Sequence, residues 1–184
     1  MMDLLSMHKQ FLQAHLSPGN HAVDFTMGNG HDTLWLAQAV GPTGHVDAFD
    51  IQSAAVEHTK QRLLEAGVLL RCRLIHDSHD KVLSYIDEPF DAGVFNLGWL
   101  PGSDKTVTTD RRTTLPAVRD AVSLVAPGGL LLVAVYPGHA EGRAEGEALG
   151  AWFAALSRFE YSVSCLRIVN SPDAPYFFAL ERKN

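Results

Sequence analysis

The chain has few cysteines and no apolar run as long as a membrane helix. It contains only two cysteines, Cys72 and Cys165, too few for a disulfide framework and without the paired spacing of a zinc site. We expect both to be reduced core residues. No apolar run reaches the ~20 residues that a membrane helix needs, and in residues 1–16 the side chains of Asp3, His8, Lys9 and His15 interrupt the apolar stretch that a signal peptide requires. These absences predict a cytoplasmic protein without a membrane partner.

The sequence also lacks an excess of positive charge. It has 15 Lys and Arg against 21 Asp and Glu, a net charge of -6 at pH 7. If the protein binds nucleic acid, a local basic patch would therefore have to bind it. With 46% hydrophobic residues, the 184 residues are expected to form one domain, 1–184, with a sizeable core.

Strand-like and helix-like patterns alternate along the chain without a long linker. An amphipathic N-terminal helix is predicted for residues 1–17. Strands are predicted near 20–25, 44–50, 70–75, 90–96, 129–136, 161–169 and 176–180, and further helices at 34–40, 53–66, 79–86, 114–126 and 148–156. The last two strands follow each other without a helix. This order predicts an α/β fold, the Rossmann-like seven-stranded methyltransferase sheet with helices on both faces and a C-terminal β-hairpin.

A glycine-rich loop between the first strand and the next helix is the most informative segment. Its glycines permit a sharp turn and a close approach of the backbone to a ligand, and the helix amides face the same space. The acid ahead of the loop disfavours a pyrophosphate but suits the positive amino and sulfonium groups of S-adenosylmethionine. The predicted cofactor contacts are Asp24, Met27, Gly28, Asn29, Gly30, His31 and Asp32.

Other interpretations of this loop fit less well. A dinucleotide-binding loop requires a third small residue at position 33, where the chain has Thr33, so NAD is matched only in part. A phosphate-binding P-loop is excluded because no Gly-Lys-Ser/Thr follows the turn. A purely structural turn has no need of so many polar side chains.

The second predicted strand ends in a carboxylate at the same edge. Asp50 lies 20 residues after Gly30, where it is placed to accept hydrogen bonds from ribose hydroxyls. Ile51 is then placed to cover the adenine, and Gln52 lies at the rim of the site.

The third strand ends in His76-Asp77-Ser78-His79-Asp80. Ser78 and His79 are placed to reach the adenine. The segment has too few metal-binding side chains to complete a four-ligand zinc site, so we predict no metal. We interpret the other histidines as surface residues, among them His21, His45 and His58.

The fourth strand leads into Asn96-Leu97-Gly98-Trp99-Leu100-Pro101-Gly102, in the position of the Asn/Asp-Pro-Pro-Tyr loop of amino methyltransferases. Asn96 is the predicted catalytic residue, because its carbonyl can orient an attacking amine by accepting its hydrogens. The predicted substrate contacts here are Leu97, Gly98 and Trp99. Trp99 either stacks on a flat base or belongs to the core beneath the loop.

Two further segments face the same edge of the predicted sheet. Residues 103–112 include Lys105, Arg111 and Arg112, a local basic surface suited to phosphates, although a solvated loop has the same composition. Tyr136 follows the central strand and is a predicted substrate contact. His139 is a second catalytic candidate that can take the proton released on amine methylation, unless it only completes a turn.

Five segments together resemble the bacterial YtqB-like rRNA methylase family. They are Asp-x-Thr-Met-Gly-Asn-Gly-His-Asp-Thr (24–33), Phe-Asp-Ile-Gln (49–52), His-x-Ser-His-Asp-Lys (76–81), Phe-Asn-Leu-Gly-x-Leu-Pro-Gly-x-Asp-Lys (95–105) and Tyr-x-Gly-His-x-Glu-Gly (136–142). The resemblance implies a class I S-adenosylmethionine-dependent methyltransferase, with donor contacts at Met27, Asn29, Asp50, Gln52, Ser78 and His79. The chain departs from the family at Trp99, where a tyrosine is expected.

The family includes a tRNA wobble-uridine methyltransferase, and the resemblance therefore implies a specific reaction. S-adenosylmethionine would methylate the aminomethyl nitrogen of uridine 34 in the anticodon loop of tRNA, giving 5-methylaminomethyluridine or its 2-thio form. An rRNA or small-amine methyltransferase, an NAD-linked oxidoreductase and a non-catalytic donor-binding module remain alternatives. An acidic domain of this size offers little surface for a whole tRNA, so a homodimer is favoured.

Overall fold

The computed structural model describes residues 4–98 and 109–184. The helices are α1 (Leu4–His15), α2 (His31–Ala39), α3 (Ser53–Glu65), α4 (Arg111–Leu124) and α5 (Ala140–Ala154), with short 3-10 helices at Leu69–Arg71 and His79–Ser84. The strands are β1 (His21–Asp24), β2 (His45–Asp50), β3 (Cys72–His76), β4 (Phe90–Asn96), β5 (Val125–Val135), β6 (Tyr161–Leu166) and β7 (Tyr176–Arg182). The element order predicted from the sequence is confirmed.

The seven strands form one sheet in the order β3-β2-β1-β4-β5-β7-β6. The first five are parallel, and β7 pairs antiparallel with both β5 and β6. After β3 the chain crosses to the other side of β1, so the topology switches between β1 and β4. In open α/β sheets such a switch leaves a crevice at the carboxyl ends of the strands. The predicted α/β fold is therefore confirmed, and its topology locates the candidate site.

The centre of the sheet is a floor of apolar side chains beneath that crevice. Residues 130–135 of β5 are all buried, as expected of a strand covered on both faces. Phe25, directly after β1, stacks on Phe95 of β4 with ring centroids 4.1 Å apart, and on Phe49 of β2 at 6.0 Å. Because close-packed interiors resist deformation, these rings give the loop above them a rigid support.

Helix α5 begins eight residues earlier than its apolar pattern predicts. Gly142 and Gly146 disfavour a helix by intrinsic propensity. A Cβ at Gly146 would collide with the Tyr176 hydroxyl of β7, so glycine lets the helix pack directly on the sheet. Tertiary contact therefore overrides the local preference of this segment.

The two cysteines have different surroundings, and neither is in a disulfide. Cys72 is partly buried, and burial raises the pKa of its thiol to about 12, so it stays protonated. Cys165 lies exposed on the edge strand β6, so its prediction as a core residue is wrong. None of the described helices is both long enough and apolar enough to span a bilayer.

Candidate functional site

The glycine loop joins β1 to α2 and rests against α3. Gly30 has φ 75°, a left-handed conformation that only glycine adopts readily, and its amide donates to the Met27 carbonyl at 2.7 Å. A Cβ on Gly30 would lie 2.7 Å from Thr59 Oγ1 and 2.9 Å from Thr59 Cα. The Thr59 hydroxyl in turn donates to the Gly28 carbonyl at 3.0 Å. Glycine is thus required twice at position 30, for its φ angle and for its space.

Asp50 is held rigidly between the loop and the start of α3. Its Oδ2 accepts from the Gly28 amide at 3.0 Å and its Oδ1 from the Gln52 amide at 2.9 Å. A carboxylate oxygen can accept more than one hydrogen bond, so both oxygens keep capacity for a ligand hydroxyl. Ile51 is 57% exposed beside them. The structure therefore brings together the residues assigned to the ribose and the adenine face.

Arg62 of α3 fixes the outer side of the loop and was not found from the sequence. Its Nε donates to the Asn29 carbonyl at 2.7 Å, and its Nη2 lies 3.3 Å from His31 Nε2. His58 adds a contact of 3.3 Å between its Nδ1 and Asn29 Oδ1. Arg62 stands in an ordinary amphipathic helix 33 residues from Asn29, so no local pattern marks it.

Asp24 lies beneath the loop rather than on its surface. The side chain is fully buried, its Oδ2 accepts from the Thr33 hydroxyl at 2.6 Å, and its Oδ1 accepts from the Thr26 amide at 3.1 Å. Burial, followed by the nearby charge of Asp32, raises the pKa of Asp24 to about 7. The visible role of Asp24 is to tie the loop to α2, and its contact with a cofactor stays a prediction.

His79 presents a buried acceptor at the same edge. Its Nδ1–H donates to the Phe25 carbonyl at 3.2 Å, and its ring meets Phe95 edge to face at 5.5 Å. Burial lowers the pKa of His79, so the ring is neutral and Nε2 carries a lone pair. This Nε2 has no hydrogen-bond partner among residues 4–98 and 109–184. The neighbouring Ser78 amide is bound to the Asp77 carboxylate at 2.8 Å.

Asn96 ends β4 beside the glycine loop, and both its backbone amide and its side-chain amide donate hydrogen bonds. The backbone amide donates to Thr26 Oγ1 at 2.7 Å, and the side-chain Nδ2 donates to Asp32 Oδ2 at 2.8 Å. The Asn96 Oδ1 is therefore turned away from Asp32. Asp32, predicted as a cofactor contact, lies in the first turn of α2 and faces β4.

The segment after Asn96 is only partly described. Leu97 is 1% exposed and packs into the core, so its predicted contact with substrate is not supported. The Gly98 carbonyl accepts from the Thr109 amide at 3.0 Å, and Tyr136 packs close to Gly98. Trp99 and Lys105 lie outside the described residues.

Glu145 of α5 is a buried carboxylate that sequence reasoning missed. Its Oε2 accepts from the Thr109 hydroxyl at 3.0 Å and its Oε1 from the Thr114 hydroxyl at 2.6 Å. Burial raises the pKa of Glu145. These bonds fix the chain where it enters α4. Glu145 is one of three glutamates in α5, and no sequence pattern distinguishes it from the other two.

The predicted basic surface is neutralised at its two described arginines. The Arg111 amide donates to Glu141 Oε1 at 3.1 Å, with the Arg111 Nε 3.7 Å from the same oxygen. The Arg112 guanidinium is bound to Asp110, its Nε lying 3.0 Å from both carboxylate oxygens. Both cations remain exposed, but each is paired with an acid, so the expected excess of positive charge is absent at these positions.

His139 caps α5. Its Nδ1 accepts from the Gly142 amide at 3.1 Å, which satisfies one of the free amides of the first turn. Accepting a proton on Nδ1 would break this bond. The geometry therefore favours the structural interpretation of His139 over its role as a proton acceptor.

A second polar cluster lies at the opposite, amino edge of the sheet. His21 is only 7% exposed, so its prediction as a surface residue is wrong. Its Nε2 lies 2.9 Å from Asp47 Oδ2, and Arg73 Nε donates to Asp47 Oδ1 at 2.6 Å. Burial alone would raise the pKa of Asp47, but the hydrogen bonds from His21 and Arg73 outweigh burial, and the pKa is lowered. Ligand atoms of His21, His45 and Asp47 lie within 4.8 Å of one another, but both Asp47 oxygens are already bound.

Comparison with known proteins links this arrangement to methyltransferases. A family model described as "Putative rRNA methylase" matches residues 46–181. The chain is 34% identical over 180 residues to tRNA (mnm(5)s(2)U34)-methyltransferase, chloroplastic, of Arabidopsis thaliana. That alignment covers 92% of the chain and 66% of the plant protein, so the chain spans slightly less than two thirds of this relative.

Two solved structures match over almost their whole length. A protein from Clostridium thermocellum with the same description as the family model superposes with a TM-score of 0.96 at 32% identity, covering 99% of this chain and 98% of that one. A "putative methyltransferase" from Streptococcus mutans, solved in complex with S-adenosylhomocysteine (SAH), superposes with a TM-score of 0.90 at 30% identity, covering 99% of both chains.

Proposed function

Because the chain belongs to this rRNA methylase family, we propose that it is an S-adenosylmethionine-dependent methyltransferase that methylates the aminomethyl nitrogen of uridine 34 in tRNA. The product is 5-methylaminomethyluridine or its 2-thio form. The observation that supports this most directly is the convergence of Asp50 and Asn96 at the topological switch point, one suited to a ribose and the other to an amine.

The described residues fit S-adenosylmethionine. The Asp50 carboxylate is oriented by two backbone amides and keeps acceptor capacity for the ribose hydroxyls. His79 Nε2, buried and without a partner in the described parts of the chain, is an acceptor suited to the amino group of adenine. The SAH complex of the Streptococcus mutans relative supports the same ligand class. When bound, this cofactor supplies an electrophilic methyl group on a positively charged sulfur.

Asn96 is the residue that we assign to the attacking amine. Its Nδ2 is bound to Asp32, so its Oδ1 is the atom left to accept a hydrogen from the substrate nitrogen. Such a bond orients the nitrogen lone pair towards the methyl group, and correct orientation accounts for a large part of enzymatic rate enhancement. An amine offers hydrogens to this carbonyl, whereas a carbon nucleophile does not.

The choice of tRNA rests on the plant relative, whose name states methylation at U34 of tRNA. The family description points to rRNA as the second candidate. The net charge of -6 and the paired state of Arg111 and Arg112 limit the RNA-binding surface of one copy. A homodimer would double that surface, and we retain it as part of the proposal.

Methyl transfer into RNA from cells that lack the protein tests the proposal. The purified protein is incubated with isotope-labelled S-adenosylmethionine and either unfractionated tRNA or rRNA, followed by mass spectrometry of the nucleosides. We expect label in 5-methylaminomethyluridine or its 2-thio form from tRNA. Label in rRNA alone would assign the enzyme to rRNA. No label in either, with SAH binding intact, would point to a small amine or a non-catalytic module and refute the tRNA assignment.

Substitution of Asp50 tests the assigned cofactor site. Asp50→Ala removes the ribose acceptor and leaves the Gly28 and Gln52 amides without their partner, so the dissociation constant for SAH is expected to rise by about 100-fold or more, measured by calorimetry. Asp87→Ala, the same change at an exposed position in the turn before β4, is the matched control and should leave binding unchanged. Equal affinity of Asp50→Ala and the unaltered protein would remove Asp50 from the site.

A further inference from the structure

We propose that Asp32 and His8 are positioning residues for Asn96, with Asp32 determining which end of the Asn96 side-chain amide faces the attacking amine. The inference rests on the proposed function, in which Asn96 receives that amine. It assigns a role in the reaction to helix α1, whose sequence carries no recognisable motif.

The contact between Asp32 and Asn96 has a defined direction. Asp32 Oδ2 accepts from Asn96 Nδ2 at 2.8 Å. An ionised carboxylate has only acceptors, so the NH2 end of Asn96 alone can satisfy it, and the carbonyl end must face the other way. The backbone amide of Asn96 is held independently by Thr26 Oγ1 at 2.7 Å. Asp32 therefore prevents the side-chain amide of Asn96 from rotating, while Thr26 holds the backbone.

Helix α1 also lies against the Asp32 carboxylate. His8 is 2% exposed, and its Nε2 lies 3.7 Å from the same Oδ2 that binds Asn96. Lys9, the next residue, places its Nζ 3.9 Å from Asp32 Oδ1. Asp32 is largely buried, with 18% of its side chain exposed, so these contacts restrict where the carboxylate can move. His8 and Lys9 thus lie next to the carboxylate that binds Asn96.

The orientation matters because the two ends of an amide have opposite hydrogen-bonding character. With the carbonyl towards the substrate, Asn96 accepts a hydrogen from a neutral amine and leaves the nitrogen lone pair for the methyl group. With the NH2 end there, Asn96 would donate a hydrogen bond to the nitrogen lone pair, and that lone pair would be less available to the methyl group. A misdirected hydrogen bond at this position should lower the rate by about 10- to 100-fold, which corresponds to about 1.4–2.7 kcal/mol.

The decisive variant is Asp32→Asn, which keeps the shape but offers both a donor and an acceptor to Asn96. We expect kcat for tRNA carrying 5-aminomethyluridine to fall by about 10- to 100-fold, with the SAH dissociation constant and Tm close to those of the unaltered protein. If Asp32 acts through Asn96, the same change should cost nothing further in an Asn96→Ala background, since coupled residues are not additive. His8→Gln should lower kcat by a smaller factor, while His15→Gln, on the same helix, should not.

The outcomes separate this inference from the proposed function. If Asp32→Asn weakens SAH binding as much as it lowers kcat, Asp32 is a cofactor ligand and the inference is wrong. An equal fold-loss with and without the Asn96 side chain would assign Asp32 a general structural role and overturn it as well. An unaltered protein that binds SAH but methylates no amine would instead refute the proposed function and, with it, any role of Asp32 in orienting that amine.

Discussion

Replacement of Gly30 by alanine is expected to distort the glycine loop and abolish SAH binding. The added methyl group would meet Thr59 Oγ1 at 2.7 Å and Thr59 Cα at 2.9 Å, and the second of these is backbone that cannot move aside by a rotamer change. Overpacking of this kind costs about 1–3 kcal/mol. The left-handed φ of 75° adds about 1–2 kcal/mol for any residue with a Cβ. We therefore expect a loss of about 2–5 kcal/mol in the free energy of unfolding, measured in urea.

Gly67→Ala is the matched control because it separates the two costs. Gly67 has a similar φ of 69°, but no atom of the described residues lies within 4 Å of the position that a Cβ would take. This variant should lose only the conformational part, about 1–2 kcal/mol, and should bind SAH like the unaltered protein. Equal losses for the two variants would show that contact with Thr59 is not what requires glycine at position 30.

Asp24 is expected to make the stability of the protein depend strongly on pH. Its pKa is raised from 3.8 to about 7 in the folded state, chiefly by burial, so between these values the unfolded chain has lost the proton that the folded chain retains. Folding then takes up a proton, and the contribution of Asp24 to stability is present below pH 4 and is lost as the pH rises through 7. At about 1.4 kcal/mol per pKa unit, the loss amounts to at most about 4 kcal/mol.

Comparison with Asp24→Asn isolates this effect from other titrating groups. The asparagine is uncharged at every pH, so the difference in unfolding free energy between the two proteins should shift by several kcal/mol between pH 4 and pH 8, against the unaltered protein. Urea unfolding at pH 4.5, 6 and 8 measures it. A difference that stays constant across this range would contradict the raised pKa.

The sequence alone was sufficient to predict the helices and strands and the edge of the sheet at which the candidate site lies. Hydrophobic periodicity and turn residues depend on local sequence, so they predict all seven strands to within a few residues. Strand β5 begins four residues earlier than predicted. Parallel strands present their carboxyl ends at one edge. Hence Gly28, Asp50 and Asn96 could be assigned to one site although they are far apart in the chain, and the structure brings them together.

The structure differs from the sequence-based expectations in properties that depend on packing between distant segments. Leu97 and His21 are buried, and Arg111 and Arg112 are paired with acids, because of neighbours that no local pattern reveals. His139 has a side chain that can accept a proton, yet at the start of α5 it accepts a hydrogen bond from the Gly142 amide and caps the helix.

The sequence by itself determined the α/β fold, the glycine loop and the identity of the polar groups at the ends of the strands. Only the tertiary structure decided how those groups are oriented and what holds them. Arg62 and Glu145 donate or accept hydrogen bonds near the site from helices that are remote in sequence from their partners. Hydrophobic periodicity is set by the chain's own local geometry, whereas a hydrogen bond requires two groups to meet within about 3 Å, and only the packing of the whole sheet with its helices determines that.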